Sequence, residues 1–177
     1  LERNTRVVEF FGGMARHPEM TIDGFALVVC HELGHHLGGA PRKLNNRAWA
    51  SSEGQSDYFA TLKCLRRMFL NDNNAALLRG KQFPKAMLDG CKRSWPRADD
   101  YYICIRSSMA GMSVAKVFQA SAASPVAPNF ATPARNVVGA SSDDHPHYQC
   151  RVDTFYQGAI CQVDEAIAVS STNDRIG

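Results

Sequence analysis

Five residues, His31-Glu32-Leu33-Gly34-His35, constrain this chain more than any other feature, because the pattern H-E-x-x-H has chemical meaning only on an α-helix. Positions i and i+4 share one helical face, so the two imidazoles can reach a common metal ion while Glu32 sits beside the open coordination position. There Glu32 can take a proton from an attacking water and pass it to a leaving amine. The ends of that helix are written in the flanking residues. Thr21 is a capping residue, Phe25, Leu27, Val28 and Val29 supply the apolar positions, and Gly38-Gly39 before Pro41 stops the helix. With six His and six Glu among 177 residues, the motif would arise by chance about 0.007 times.

A third protein ligand decides the kind of site. A metzincin needs a further His six residues beyond the motif, and although Gly38 fits that pattern, Pro41 stands where the His would be. The alternative is a carboxylate from the next helix, and Glu53, 18 residues beyond His35, stands at its start. Asp57 follows at i+4, one turn on along the same face, where it can accept the second N–H of a ligating histidine and fix its tautomer.

Around this helix the pattern predicts a single domain over 1–177. Thr5 to Phe11 is rich in β-formers and closes on Gly12-Gly13, which predicts an edge strand before the motif helix. A second helix is predicted over about 51–70, stopped by Asn71-Asp72-Asn73-Asn74, then two short helical pieces, then a long helix over about 99–120 with Ile103, Met109, Met112, Val117 and Phe118 inward. Residues 121–146 carry four of the eight prolines and no period, as a long loop or flap would. A last helix is predicted over about 148–169, with Val152, Phe155, Ala159 and Val163 inward. The expected fold class is α+β: a predominantly helical, zincin-like domain with a small β-sheet ahead of the motif helix.

Composition narrows the partners. Net charge is +3, too small to argue for nucleic acid, and the longest apolar run, Phe25 to Cys30, is far short of a membrane span. The chain begins Leu1-Glu2-Arg3-Asn4, which reads as the start of a mature or excised segment. Nine Lys or Arg against Asp72 and Asp89 between Lys63 and Arg97 read as solvated helix faces or as a contact for an acidic substrate or wall polymer. Six cysteines without a C-x-x-C pair point to disulfides and an extracytoplasmic compartment, periplasmic or extracellular, with fifteen pairings open.

The run Gly12-Gly13, Asp23, Cys-His-Glu-Leu-Gly-His-His and Glu-Gly-Gln-Ser-Asp over 53–57 resembles the gluzincin zinc metallopeptidases of the HtpX and BepA type. That resemblance implies one Zn²⁺ held by His31, His35 and Glu53, with Glu32 catalytic and Asp57 supporting a ligating histidine. Members of that family also carry a His-Pro followed by an Arg, and this chain has His145-Pro146 and Arg151. By resemblance, His145 lies near the metal, as a transition-state residue or as a removable ligand that keeps the enzyme latent, and Arg151 acts there electrostatically. His147 is a weaker candidate for the His145 role, and His17 and His36 read as structural or exposed. The resemblance covers about residues 5–70 and 143–160; the transmembrane helices of embedded members have no counterpart here, so their membrane-protein substrates do not carry over.

The expected function is a zinc-dependent metalloendopeptidase acting on a peptide or protein. The alternatives are a zinc-containing binding or chaperone module with latent or no proteolysis, or a zinc amidase acting on cell-wall cross-links. Nothing in the sequence speaks to the oligomeric state. An extended substrate could add along the edge of Val7 to Phe11. Substituting Val8 or Phe10 is then expected to alter the side-chain preference read from cleavage of a mixed peptide library; unchanged cleavage patterns would remove the edge from substrate binding.

Overall fold

The computed structural model describes residues 5–44, 47–136 and 142–170. Residues 1–4, 45–46, 171–177 and 137–141, the last inside the expected flap, lie outside this description. The elements are α1 (Gly12–Ala15), α2 (Ile22–Leu37), α3 (Glu53–Phe59), a π-helical turn (Ala60–Cys64), α4 (Leu65–Phe69), α5 (Asn74–Leu78), α6 (Lys85–Ser94), α7 (Ala98–Ser121) and α8 (Tyr148–Ile160). From α3 through the π turn to α4 the chain is one continuous helix.

The motif helix α2 begins and ends where its caps dictate. Thr21 Oγ1 accepts from Gly24 N at 2.9 Å, and Gly38 N donates to Gly34 O. The core lies where α2, the 53–69 helix, α7 and α8 meet: Leu27, Leu65, Phe69, Ile103, Val114 and Phe155 are buried together. Of the positions expected inward on α7, Ile103, Met112 and Val117 are buried, while Met109 and Phe118 are partly exposed. α7 is buried on nearly every side from Ile103 to Val117 because Ser107, Ser108, Ala110, Gly111, Ser113 and Ala115 are small enough for its neighbours to approach. A Cβ on Gly111 would fall 2.6 Å from the Phe155 Cβ of α8.

One buried cation ties the frame. Arg106 donates to Asp23 Oδ1 and Oδ2 at 2.8 and 3.0 Å, to Asp72 Oδ2 at 2.7 Å and to Asn74 Oδ1 at 2.6 Å, and its guanidinium lies 3.6 Å over the Phe69 ring. The start of α2, the turn before α5 and the middle of α7 are thereby fixed to one another.

Two expectations are corrected. The small β-sheet is not seen: among the described residues the segment before Gly12 forms no strand beyond a lone bridge at Thr5, Gly12-Gly13 open the short helix α1, and Arg42 and Ser51 form an isolated antiparallel bridge. α8 stops at Ile160 rather than continuing to 169. Beyond it, Lys63 Nζ donates to the carbonyls of Asp164 and Ile167 at 2.9 and 2.7 Å, and Arg66 to those of Cys161 and Val163. Those donors take carbonyls that further helix would need for itself. The same contacts bury Lys63 and Arg66, so this part of the basic 63–97 stretch is internal.

Two disulfides form, Cys30–Cys64 and Cys91–Cys104, and Cys150 and Cys161 are free thiols. They fit an oxidising compartment, and no helix among the described residues is long and apolar enough to cross a membrane. Cys30 immediately precedes His31, so its bond pins the motif helix to the end of the π turn with Cα atoms 5.6 Å apart. Replacing Cys30 and Cys64 together with Ser opens a 34-residue loop and is expected to lower the unfolding free energy by about 3–4 kcal/mol in urea titration. A loss below about 1 kcal/mol would mean that packing alone holds the two helices.

Candidate metal centre

The two histidines of α2 reach the 53–69 helix because nothing stands between the backbones. A Cβ on Gly34 would fall 2.9 Å from Ser56 Cα and 3.0 Å from Ser56 O, so the glycine inside the motif permits the contact that brings Glu53 to the imidazoles. Ser52 caps α3, its side chain accepting from Gln55 N, and this sets Glu53 in the first turn.

Three imidazole nitrogens converge on one oxygen. Glu53 Oε2 lies 3.1 Å from His31 Nε2, 3.5 Å from His35 Nε2 and 3.2 Å from His145 Nε2. Its other oxygen, Oε1, accepts from Lys43 Nζ at 2.6 Å. Glu32 stands with His31 and His35 in one group of potential ligand atoms, all within 4.8 Å of one another; His31, Glu53 and His145 form a second such group. Glu32, His35, Glu53 and His145 open onto a cleft of about 630 Å³ that Val7, Phe10 and Trp49 also line.

The far side of each motif-histidine ring is held as well. His31 Nδ1 lies 2.7 Å from Asp57 Oδ1, in contact though off the hydrogen-bond axis. Asp57 is fully buried and accepts from Arg151 Nε at 2.8 Å and Nη2 at 2.7 Å. His35 Nδ1 lies 2.9 Å from the Ser51 carbonyl oxygen and from Ser56 Oγ. A carbonyl can only accept, so Nδ1 carries the hydrogen and a neutral His35 turns a lone pair at Nε2 toward Glu53.

Electron pairs and a carboxylate oxygen gathered at one point repel unless a cation sits among them. The residues accordingly fit a divalent transition metal: neutral imidazoles and a carboxylate are ordinary Zn²⁺ donors, and backing by a carboxylate and by a carbonyl is what holds such ligands in place. Without a metal, protons serve instead. Burial alone would lower the His31 pKa, but the Asp57 carboxylate beside it, with Glu53, pushes it up to about 9 against the opposing charge of Arg151. Glu53 is held well below the usual carboxylate range despite its burial, by His31, His35 and Lys43 gathered around it. Asp57 is likewise lowered despite burial, by Arg151 first and His31 second. Burial lowers the His145 pKa, with Glu53 opposing and Arg151 reinforcing.

His31, Glu32, His35, Glu53, Asp57 and His145 are thus brought together. Arg151 is not in the cleft: it is 3% exposed, lies 4.3 Å from the Phe118 ring and reaches the site through Asp57. His147 caps α8, its side chain accepting from Gln149 N, and His36 stacks on Trp49 at 4.9 Å. Asp143 Oδ1 accepts from Leu44 N at 2.7 Å, which docks the segment carrying His145 onto the loop carrying Lys43. Sequence reasoning missed Lys43, Ser51 and Ser56. The serines are backing partners with no motif of their own, and Lys43 sits in a loop where no period could single it out. No family model, no curated protein and no solved structure matches this chain.

The raised His31 pKa gives the metal-free protein a distinctive pH dependence. A group whose pKa rises on folding contributes stability below its unfolded value and loses it as pH climbs through its folded value. In chelator, Tm is expected to fall between pH 6.5 and about 9, and Zn²⁺ to flatten the fall by giving deprotonated His31 a partner. A Tm independent of pH over that range in chelator, or an equal fall with Zn²⁺ present, would contradict this account of the cluster.

Proposed function

We propose that this chain is a zinc-dependent metalloendopeptidase of the gluzincin kind. The observation that carries the reading is the convergence of His31, His35 and His145 on Glu53 Oε2, with Glu32 in the same cleft. His31, His35 and Glu53 would hold the Zn²⁺, which when bound supplies a Lewis acid that polarises a scissile carbonyl and acidifies water.

The chain's own residues do the rest. Glu32 accepts the proton of the attacking water and delivers it to the leaving amine, the duty its place beside the two histidines suits. Asp57, held by Arg151, fixes the orientation of His31. The segment of Val7 to Phe11 forms one wall of the cleft, where a peptide can lie alongside it. Two disulfides support a periplasmic or extracellular setting.

One observation favours a second reading, a zinc-containing binding module with latent proteolysis. His145 lies as close to Glu53 Oε2 as the motif histidines do, where it would compete with substrate for the metal's open position. The cell-wall amidase reading rested on the basic 63–97 stretch, of which Lys63 and Arg66 serve the chain's own C-terminal carbonyls.

The test compares the Zn²⁺-loaded protein with Glu32→Gln on a mixed peptide library mapped by mass spectrometry. Glu32→Gln is expected to keep one Zn²⁺ per chain and to lose cleavage by about 100-fold or more. Equal cleavage by both forms would remove the proposed role of Glu32. Absence of cleavage by either at full Zn²⁺ occupancy favours latency if His145→Ala then restores it, and a non-peptidase role if it does not.

A further inference from the structure

Lys43 has no place in the H-E-x-x-H pattern, yet it is delivered to the centre by a well-fastened loop. Lys43 N donates to Ala50 O at 2.9 Å, Ser52 N to Pro41 O at 2.8 Å, Ser51 Oγ to Gly39 O at 2.7 Å and Gln55 Nε2 to Gly38 O at 2.7 Å. Residues 38–43 are thereby zipped to 50–55, the stretch that ends in the first turn of α3. The lysine side chain is 10% exposed, and its Nζ lies 2.6 Å from Glu53 Oε1.

The two oxygens of Glu53 therefore have separate partners. Oε1 faces an ammonium, and Oε2 faces three imidazole nitrogens. A carboxylate without such a restraint can turn and bind a metal through both oxygens, filling a position that a hydrolytic site must keep open. An ammonium on Oε1 prevents this by geometry and by charge, since the engaged oxygen is a poorer donor to a second cation.

We infer that Lys43 is a positioning residue that makes Glu53 a one-oxygen ligand: it occupies Oε1 and leaves Oε2 alone to the metal. This rests on the zinc reading of the site. Lys43 also lines the cleft, but in this role it acts through Glu53.

The experiment uses Co²⁺ as the probe, titrated into the metal-free protein with no substrate present, because its visible absorption is stronger in four-coordinate than in five-coordinate sites. Lys43→Met keeps the stem and loses the ammonium, and Lys43→Arg keeps a charged donor. The wild type is expected to take up one Co²⁺ with a strong band. Lys43→Met should also bind one Co²⁺, with band intensity reduced about twofold or more as Oε1 joins the metal, and Lys43→Arg should restore the wild-type band. Circular dichroism establishes that each variant is folded. If the Met variant is not, Lys43→Gln replaces it, its amide being one bond too short to reach Oε1.

Three results overturn the inference. An identical band in all variants means that Lys43 does not control the carboxylate, with the metal site itself intact. An equal loss in Lys43→Met and Lys43→Arg assigns the effect to packing in the loop. Failure of the wild type to bind Co²⁺ removes the metal reading together with the inference built on it.

Discussion

A carboxylate with no exposed surface must be paired to remain ionised, and Asp57 draws its partners from two other helices. Arg151 comes from α8 and His31 from α2, while Asp57 itself belongs to α3. Removing one partner of such a buried pair costs about 3–5 kcal/mol, since the other charge is left in a dry interior. The three helices thus cannot shift separately. The Arg151 guanidinium also lies 4.3 Å over Phe118 of α7, so the fourth helix of the core is drawn into the same contact. The position of His31 is in this sense a property of the whole core.

The second consequence is electrostatic. Each buried carboxylate of the centre has its own ion-pair partner: Asp57 has Arg151, and Glu53 has Lys43. Without those cations, two carboxylates would make the neighbouring imidazoles bind protons more strongly, and a metal ion has to displace such protons before it can bind. Arginine and lysine moderate that competition without occupying the point where the imidazoles meet. Even so, the Asp57 and Glu53 carboxylates still push the His31 pKa up to about 9, so the cluster favours added positive charge.

What was legible in the sequence follows from how local each signal is. The caps of α2 lie within a few residues of its ends, and Thr21 and Gly38 mark them as expected. Glu53 and Asp57 could be placed because a helix turns their spacing of four into a shared face. The sheet could not be judged from Val7, Val8 and Phe10, because alternation is a property of one segment and a ladder needs two. The overlong α8 has the opposite cause: its apolar period continues to Val163, but Lys63 and Arg66, a hundred residues earlier, capture the carbonyls there. Those two residues read as solvated charge because long stems bury easily while their heads find acceptors, which composition does not reveal. The disulfide pairing and the route of Arg151 through Asp57 are tertiary facts of the same kind.

The π turn at Ala60–Cys64 shows how backbone shape reaches the centre. α8 crosses it very closely: a Cβ on Gly158 would fall 2.2 Å from Thr61 Oγ1 and 2.7 Å from Tyr58 O. Gly158 and Arg151 are seven residues apart, two helical turns along one face of α8. The depth of the crossing at Gly158 accordingly governs how far Arg151 reaches toward Asp57, and through Asp57 how His31 is held. π turns recur at functional sites because the locally widened helix changes which residues face a neighbour. Here the widened turn lets one continuous helix present Glu53 and Asp57 to the histidines, receive α8 against Thr61, and bring Cys64 to the cysteine that precedes His31.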